Sequence, residues 1–233
     1  MAVTEEELAF VEVVRRFVDK DVRPVVRDLE HANTYPEALI EQMKELGVYG
    51  MTVPAPFGQS ATSTECYALV TEEIARGWMS LAGAFGGHSV VCRLIDRFGT
   101  DDQRQQYLPR LATGEMRATM ALTEPGGGSD LQAMRTVAVR DGDDYVIDGS
   151  KTWITNARRA GVVALLCKTD PAAQPAHHGI SILLVEKGPG FEVSRDLPKL
   201  GYKASRAASC PSRTAGCRPT RSSALSRASG SRR

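Results

Sequence analysis

The spacing of the apolar residues changes once along the chain, near Met116, and that change limits the fold more than any single motif. Before it, apolar positions recur every three or four residues; Val11, Val14, Val18, Val22 and Val25 line one helical face. After it come β-branched runs of strand length, Val162 to Lys168 and Ile180 to Glu186, bounded by Pro and Gly. Such a chain is expected to be multidomain, α then β. The expectation is an N-terminal all-α helical domain over residues 1–115 and a middle antiparallel β-barrel or sandwich domain over residues 116–203. No helix-length pattern separates the strands, so a parallel doubly wound sheet is not expected.

Local signals place the elements. Thr4 with Glu7 has the spacing of a capping box, and Pro24 ends or kinks the helix that follows. Pro36 opens a second helix and Gly47 stops it after Leu46. Pro54, Pro56 and Gly58 mark a turn-rich stretch, and helical spacing resumes over Thr64 to Arg76, Met79 to Phe98 and Asp101 to Ala112. In the second half, Arg117 to Leu122 suits a strand. Thr136 to Arg140 and Tyr145 to Asp148 flank the turn residues Asp141-Gly142-Asp143-Asp144, and Phe191 to Ser194 suits a further short strand.

The net charge of +1 conceals an asymmetry. Residues 204–233 hold seven Arg, no Lys and no acids; 29 less 7 leaves 22 basic against 28 acidic residues, a net of −6 for the body. That Arg/Ser/Ala-rich stretch has Leu225 as its one large aliphatic residue, and is expected to be a disordered basic tail. It lacks interleaved aromatics, so nucleic-acid binding is not expected of it. No apolar run has the length of a membrane span, and the acidic Glu5-Glu6-Glu7 start is unlike a targeting peptide. Cys66, Cys92, Cys167, Cys210 and Cys217 form no C-x-x-C pair and have no His at ligand spacing. No metal site is expected, and the chain reads as a reduced, cytoplasmic protein.

Two segments carry chemistry. Ala121-Leu122-Thr123-Glu124-Pro125-Gly126-Gly127-Gly128-Ser129-Asp130 puts three glycines after a strand, where backbone N–H groups approach a ligand closely. Lys151-Thr152-Trp153-Ile154-Thr155-Asn156 puts an indole two residues before a hydroxyl. Together they suit a planar ring with a polar edge and a phosphorylated tail, as in a flavin nucleotide. Ile154 alternates away from its neighbours and points into the sheet. Taken alone, the glycines read as a turn between strands and Trp153 as a core residue. Glu124 and Asp130 read as bracing groups, and His88 as a packed helical histidine.

The run Ala121 to Ala133 resembles the signature of the acyl-CoA dehydrogenase family: small, aliphatic, Thr, Glu, two free positions, Gly-Gly-Ser-Asp, two free positions, small. Lys151 to Asn156 resembles that family's second flavin segment, and Phe85 to Met116 its stretch before the signature. The resemblance implies an FAD-dependent oxidoreductase of fatty acid metabolism and β-oxidation. It removes the α-proton of an acyl-CoA thioester and passes the β-hydrogen as hydride to FAD N5. It implies cofactor contacts from Met120, Ala121, Leu122, Thr123, Gly128, Ser129, Trp153, Ile154 and Thr155, with Ser129 near the acyl-CoA as well, Trp153 against the ring and Thr155 bonded near N5. Electron-transferring flavoprotein is the implied partner. Complete members are implied to be homo-oligomers, an expectation not carried over to this chain.

The similarity runs over residues 1–203. The family continues with a helical bundle carrying the carboxylate base, and no segment here matches it. The expectation is therefore a chain truncated by a frameshift or premature end, with no catalytic residue of its own, weak FAD binding and little or no turnover. The alternative is a non-catalytic remnant or binding module that keeps partial acyl-CoA or protein contacts.

Overall fold

The computed structural model describes residues 3–59, 62–142, 144–188, 190–194, 196–203, 207–212 and 223–224. Helix α1 (Glu5–Phe17) opens on the expected capping box: Thr4 N–H donates to Glu7 Oε2 at 3.0 Å and Glu7 N–H to Thr4 Oγ1 at 3.2 Å. The other Glu7 oxygen takes the Ser63 N–H at 2.6 Å, which ties the start of α1 to the start of a later helix. A π-helical turn (Val18–Val22) carries the apolar face on and stops just before Pro24. A short α2 (Val26–His31) follows, which the spacing did not indicate. Helix α3 (Glu37–Glu45) begins after Pro36 and ends at Gly47, whose φ of +83° is a left-handed stop.

Helix α4 (Thr64–Phe98) joins the two helices expected over Thr64 to Arg76 and Met79 to Phe98. The break between them survives at Trp78, whose backbone is extended (φ −160°, ψ 107°). Glu30 holds that break, its Oε2 accepting from Trp78 Nε1 at 2.9 Å and from Ser80 Oγ at 3.3 Å. Just before it, a Cβ at Gly77 would lie 2.5 Å from Val18 Cγ1, so glycine is what lets α4 press against the π turn. Helix α5 (Asp101–Ala112) has its own capping box, from Thr100 and Gln103.

Seven strands then form one sheet: β1 (Ala118–Ala121), β2 (Val137–Asp141), β3 (Asp144–Thr155), β4 (Val162–Lys168), β5 (Ile180–Glu186), β6 (Ala207–Ser212) and β7 (Ser223–Ala224). The order is β6-β3-β2-β4-β5-β7, with β1 alongside β4. The sheet is mixed: β1 runs parallel to β4 and β2 meets β4 in parallel, while the other ladders are antiparallel; among the described residues it is not closed. Residues 122–161, which include β2 and β3, connect β1 to β4, so no tight return turn joins the two strands and a parallel pairing is open to them.

One local expectation is corrected. Phe191 to Ser194 is not a strand: the Arg158 guanidinium takes the Val193 and Ser194 carbonyls at 3.5 and 3.1 Å, in place of a ladder. Within 204–233, residues 207–212 (β6) pair antiparallel with β3 and residues 223–224 (β7) with β5. Pairing to an open sheet edge needs backbone groups rather than apolar side chains, and composition does not report it. The rest of that tail lies outside the described residues.

Alternation explains the uninterrupted apolar runs of β4 and β5. Val162, Ala164 and Leu184 face α4 and α5, in a core with Val91, Ile95, Leu108 and Leu111. Val163, Leu165, Cys167, Leu183 and Val185 face the other way, in a core with Ala138 and Ile154. Both faces of the central strands are buried, hence the lack of polar residues in them. A third core, around Val14, Phe17, Ile40, Val70, Ile74 and Phe85, holds the helices together.

Candidate active site

The site lies between α4 and the sheet, and β3 shapes it. The ladder from β3 to β6 slips between Lys151 and Ile154, a β-bulge, and within it Trp153 takes φ +60°. A left-handed non-glycine backbone is costly and is kept where the surroundings require it. Here it turns the indole outward, leaving Trp153 55% exposed in the midst of a buried strand. Trp153 and Thr155 then line one cleft of about 400 Å³, with Thr119, Met120, Met79, Ala82, Gly83, Gly86, Gly87 and Tyr202. Two hydrogen bonds hold the edge: Thr119 Oγ1 donates to Thr155 O at 2.6 Å, and Asn156 Nδ2 to Ala84 O at 3.1 Å.

The glycine loop is a tight turn in which Glu124 and Gly127 exchange both backbone hydrogen bonds, at 2.9 and 3.1 Å. A Cβ at Gly126 or Gly127 would meet nothing within 4 Å, so their backbone faces open space. The loop borders a second cleft, of about 620 Å³, that Asp130, Arg135, Asp148 and Ser150 also line. Beneath it Glu124 is buried. Its Oε1 accepts from Thr136 N–H, Thr136 Oγ1 and Lys151 Nζ at 2.9, 2.5 and 2.9 Å, and its Oε2 from Arg135 N–H at 2.6 Å. Burial raises this carboxyl's pKa, but hydrogen bonds from Thr136, Arg135 and Lys151 outweigh it and hold the group down to about 2. It is an ionised brace, with no capacity left to take up a proton at neutral pH.

Of the residues expected to contact a cofactor, Met120, Trp153 and Thr155 meet in the ring-sized cleft. Ala121 and Ile154 are buried in the core, so only their backbones are near it. Leu122 and Thr123 sit behind the loop, with their carbonyls accepting from Lys151 Nζ at 2.9 Å and Thr152 N–H at 2.8 Å. Gly128 and Ser129 are exposed, beyond the turn. Met79, Ala82, Gly83, Gly86, Gly87, Thr119 and Tyr202 also line the cleft, and neither sequence motif singles them out. Two adjacent glycines within an otherwise apolar helix were the available signal. Gly83 has a further role: a Cβ there would overlap the Tyr202 phenol. Among the described residues, no three His, Cys, Asp or Glu side chains come together as a metal site, and no helix is long and apolar enough to cross a membrane.

Residues 4–115 match the family model of the acyl-CoA dehydrogenase N-terminal domain, and residues 119–211 that of its middle domain. Mitochondrial isovaleryl-CoA dehydrogenase of Pongo abelii is 36% identical over 206 residues, 87% of this chain and 49% of its own. The crystal structure of an acyl-CoA dehydrogenase from Geobacillus kaustophilus superposes with a TM-score of 0.83 at 37% identity, over 91% of this chain and 56% of that one. A glutaryl-CoA dehydrogenase from Mycobacterium smegmatis, solved in complex with FADH2, gives a TM-score of 0.80 at 32% identity, over 91% and 53% of the two chains. The chain spans about half the length of these relatives.

Proposed function

Because the chain belongs to the acyl-CoA dehydrogenase family, we propose that the cleft between α4 and the sheet binds the ring of FAD, and that the reaction it serves is the α,β-dehydrogenation of an acyl-CoA thioester. The Trp153 bulge carries this reading: a left-handed residue presents a half-exposed indole beside a threonine, over a helix stripped to glycine at Gly83, Gly86 and Gly87. Trp153 offers the ring a flat apolar face. The Thr155 hydroxyl offers its polar edge a hydrogen bond, and Met120 fills in alongside. A cleft of about 400 Å³ is the size of a ring rather than of a dinucleotide. With open space where a Cβ would stand at Gly126 and Gly127, the loop lets an anionic tail approach the backbone closely.

FAD held by Met120, Trp153 and Thr155 would supply a two-electron acceptor for the acyl β-hydrogen. The protein's own part is to orient the ring and exclude water from its buried side. Among the described residues, none of the ten that line the cleft is an Asp, Glu, His or Lys. Proton removal from a thioester needs a placed base, so we propose that this polypeptide by itself binds flavin and turns over slowly or not at all. Exposed Ser129 is the loop residue assigned to acyl-CoA contact, and electron-transferring flavoprotein the acceptor of the electrons, both supported by the resemblance of residues 121–133. Equilibrium dialysis against FAD tests the reading: the purified chain should bind FAD weakly, and Trp153→Ala should lose most of that affinity. Equal retention by the two proteins would refute this use of the cleft.

A further inference from the structure

The sheet contains one buried charge pair that the chemistry above does not use. Lys151 is 2% exposed and Glu124 8%, with Nζ and Oε1 2.9 Å apart. Burying two charges is costly, and an apolar pair of the same volume is often as stable. Stability alone is thus a poor reason for the pair to be there.

Its location suggests another. Strand β1 has β4 as its ladder partner, and among the described residues no ladder joins it to β3. Yet the cleft needs Met120 of β1 and Trp153 and Thr155 of β3 at a fixed separation. Four hydrogen bonds cross the gap. Thr119 Oγ1 donates to Thr155 O at one end. At the other, Lys151 Nζ donates to Leu122 O at 2.9 Å and to Glu124, and Thr152 N–H donates to Thr123 O. Glu124 is itself anchored to the start of β2 by the N–H groups of Arg135 and Thr136. Lys151 is also the last residue in register before the β3 bulge. Its ammonium pins the near side of the distortion that turns Trp153 outward.

We propose that Lys151 and Glu124 are positioning residues for FAD, setting the spacing between the two segments that hold the ring. This rests on the flavin reading above. Lys151→Met keeps the stem and removes the charge, and Glu124→Gln keeps the shape and removes the ion pair. Both should weaken FAD affinity by about tenfold or more and alter the absorption band shape of the bound flavin. Val70→Ala, in the helical core, serves as a control that lowers the melting temperature without touching the cleft; its affinity should match wild type. Near wild-type affinity and an unchanged spectrum in the two pair variants would overturn the proposal. So would an equal loss in Val70→Ala at the same fall in melting temperature. Should Lys151→Met not fold, Glu124→Gln and Thr136→Val, which removes one bond to the same carboxylate, decide the matter on the same readouts. A wild-type chain that binds no FAD would overturn the flavin reading and the positioning role together. Wild-type binding with unaffected variants would overturn the positioning role alone.

Discussion

Mild acid should destabilise this fold through one histidine. His88 is 1% exposed. Its Nδ1 accepts the Ala118 N–H at 3.2 Å, and its Nε2 lies 3.2 Å from the Tyr49 carbonyl. With Nδ1 accepting, the single proton sits on Nε2 and the ring is neutral. A second proton would desolvate a charge and expel the Ala118 N–H, where β1 leaves the helices. Burial pushes the pKa down from 6.5 to about 4, and the hydrogen bond to Tyr49 opposes this only in part. The unfolded chain therefore takes up a proton near pH 6.5 that the folded chain refuses until about pH 4. Stability from the neutral ring is fully present above pH 6.5 and falls steadily toward pH 4. At about 1.4 kcal/mol per pH unit, the loss reaches about 3 kcal/mol. Urea unfolding of wild type and His88→Gln at pH 7 and pH 4.5 measures it. Wild type should lose about 2–3 kcal/mol more than the variant over this interval. The window excludes Glu124, whose contribution is lost only as pH falls from 4.5 toward about 2. Equal losses in the two proteins would refute the reasoning, as would a His88 ring proton that titrates near pH 6.5 in the folded wild type.

Other substitutions separate packing from binding. Gly77→Ala should cost about 1–3 kcal/mol in chemical denaturation despite alanine's better helix propensity, because the new methyl meets the stiff Val18 side chain at 2.5 Å; a stabilised variant would contradict the close approach. Trp153→Ala should change stability by no more than about 1 kcal/mol, its indole being half in solvent, while FAD affinity falls. A matched loss of both would make Trp153 a structural residue instead.

Much of the fold was legible in the sequence where pattern and local chemistry agree. The bounds of α5, β4 and β5 follow from the Thr100 cap and from apolar runs cut off by Pro and Gly. Helix α2 was not legible: it is six residues long, has no side-chain cap and packs only the partly buried Val26 and Leu29 against the core. Nor was the length of β3. The sequence marks Tyr145 to Asp148, but the strand continues through Gly149-Ser150-Lys151 to Thr155. Lys151 enters a buried strand because Glu124, 27 positions earlier, receives its ammonium, and no local rule reports a partner that distant. Met120, Trp153 and Thr155 could be singled out beforehand because their motifs are contiguous. Gly83 and Tyr202 could not, because only the packing of α4 against the sheet brings them to the cleft.

The most direct test of the central claim, a flavin cleft without a base, is the visible spectrum of the purified 233-residue chain, equilibrated with FAD and freed of excess. It is recorded before and after anaerobic addition of a saturated acyl-CoA. The predicted result is a bound flavin band that persists after the thioester is added. A chain that emerges colourless, or a band that bleaches rapidly and completely, would contradict it.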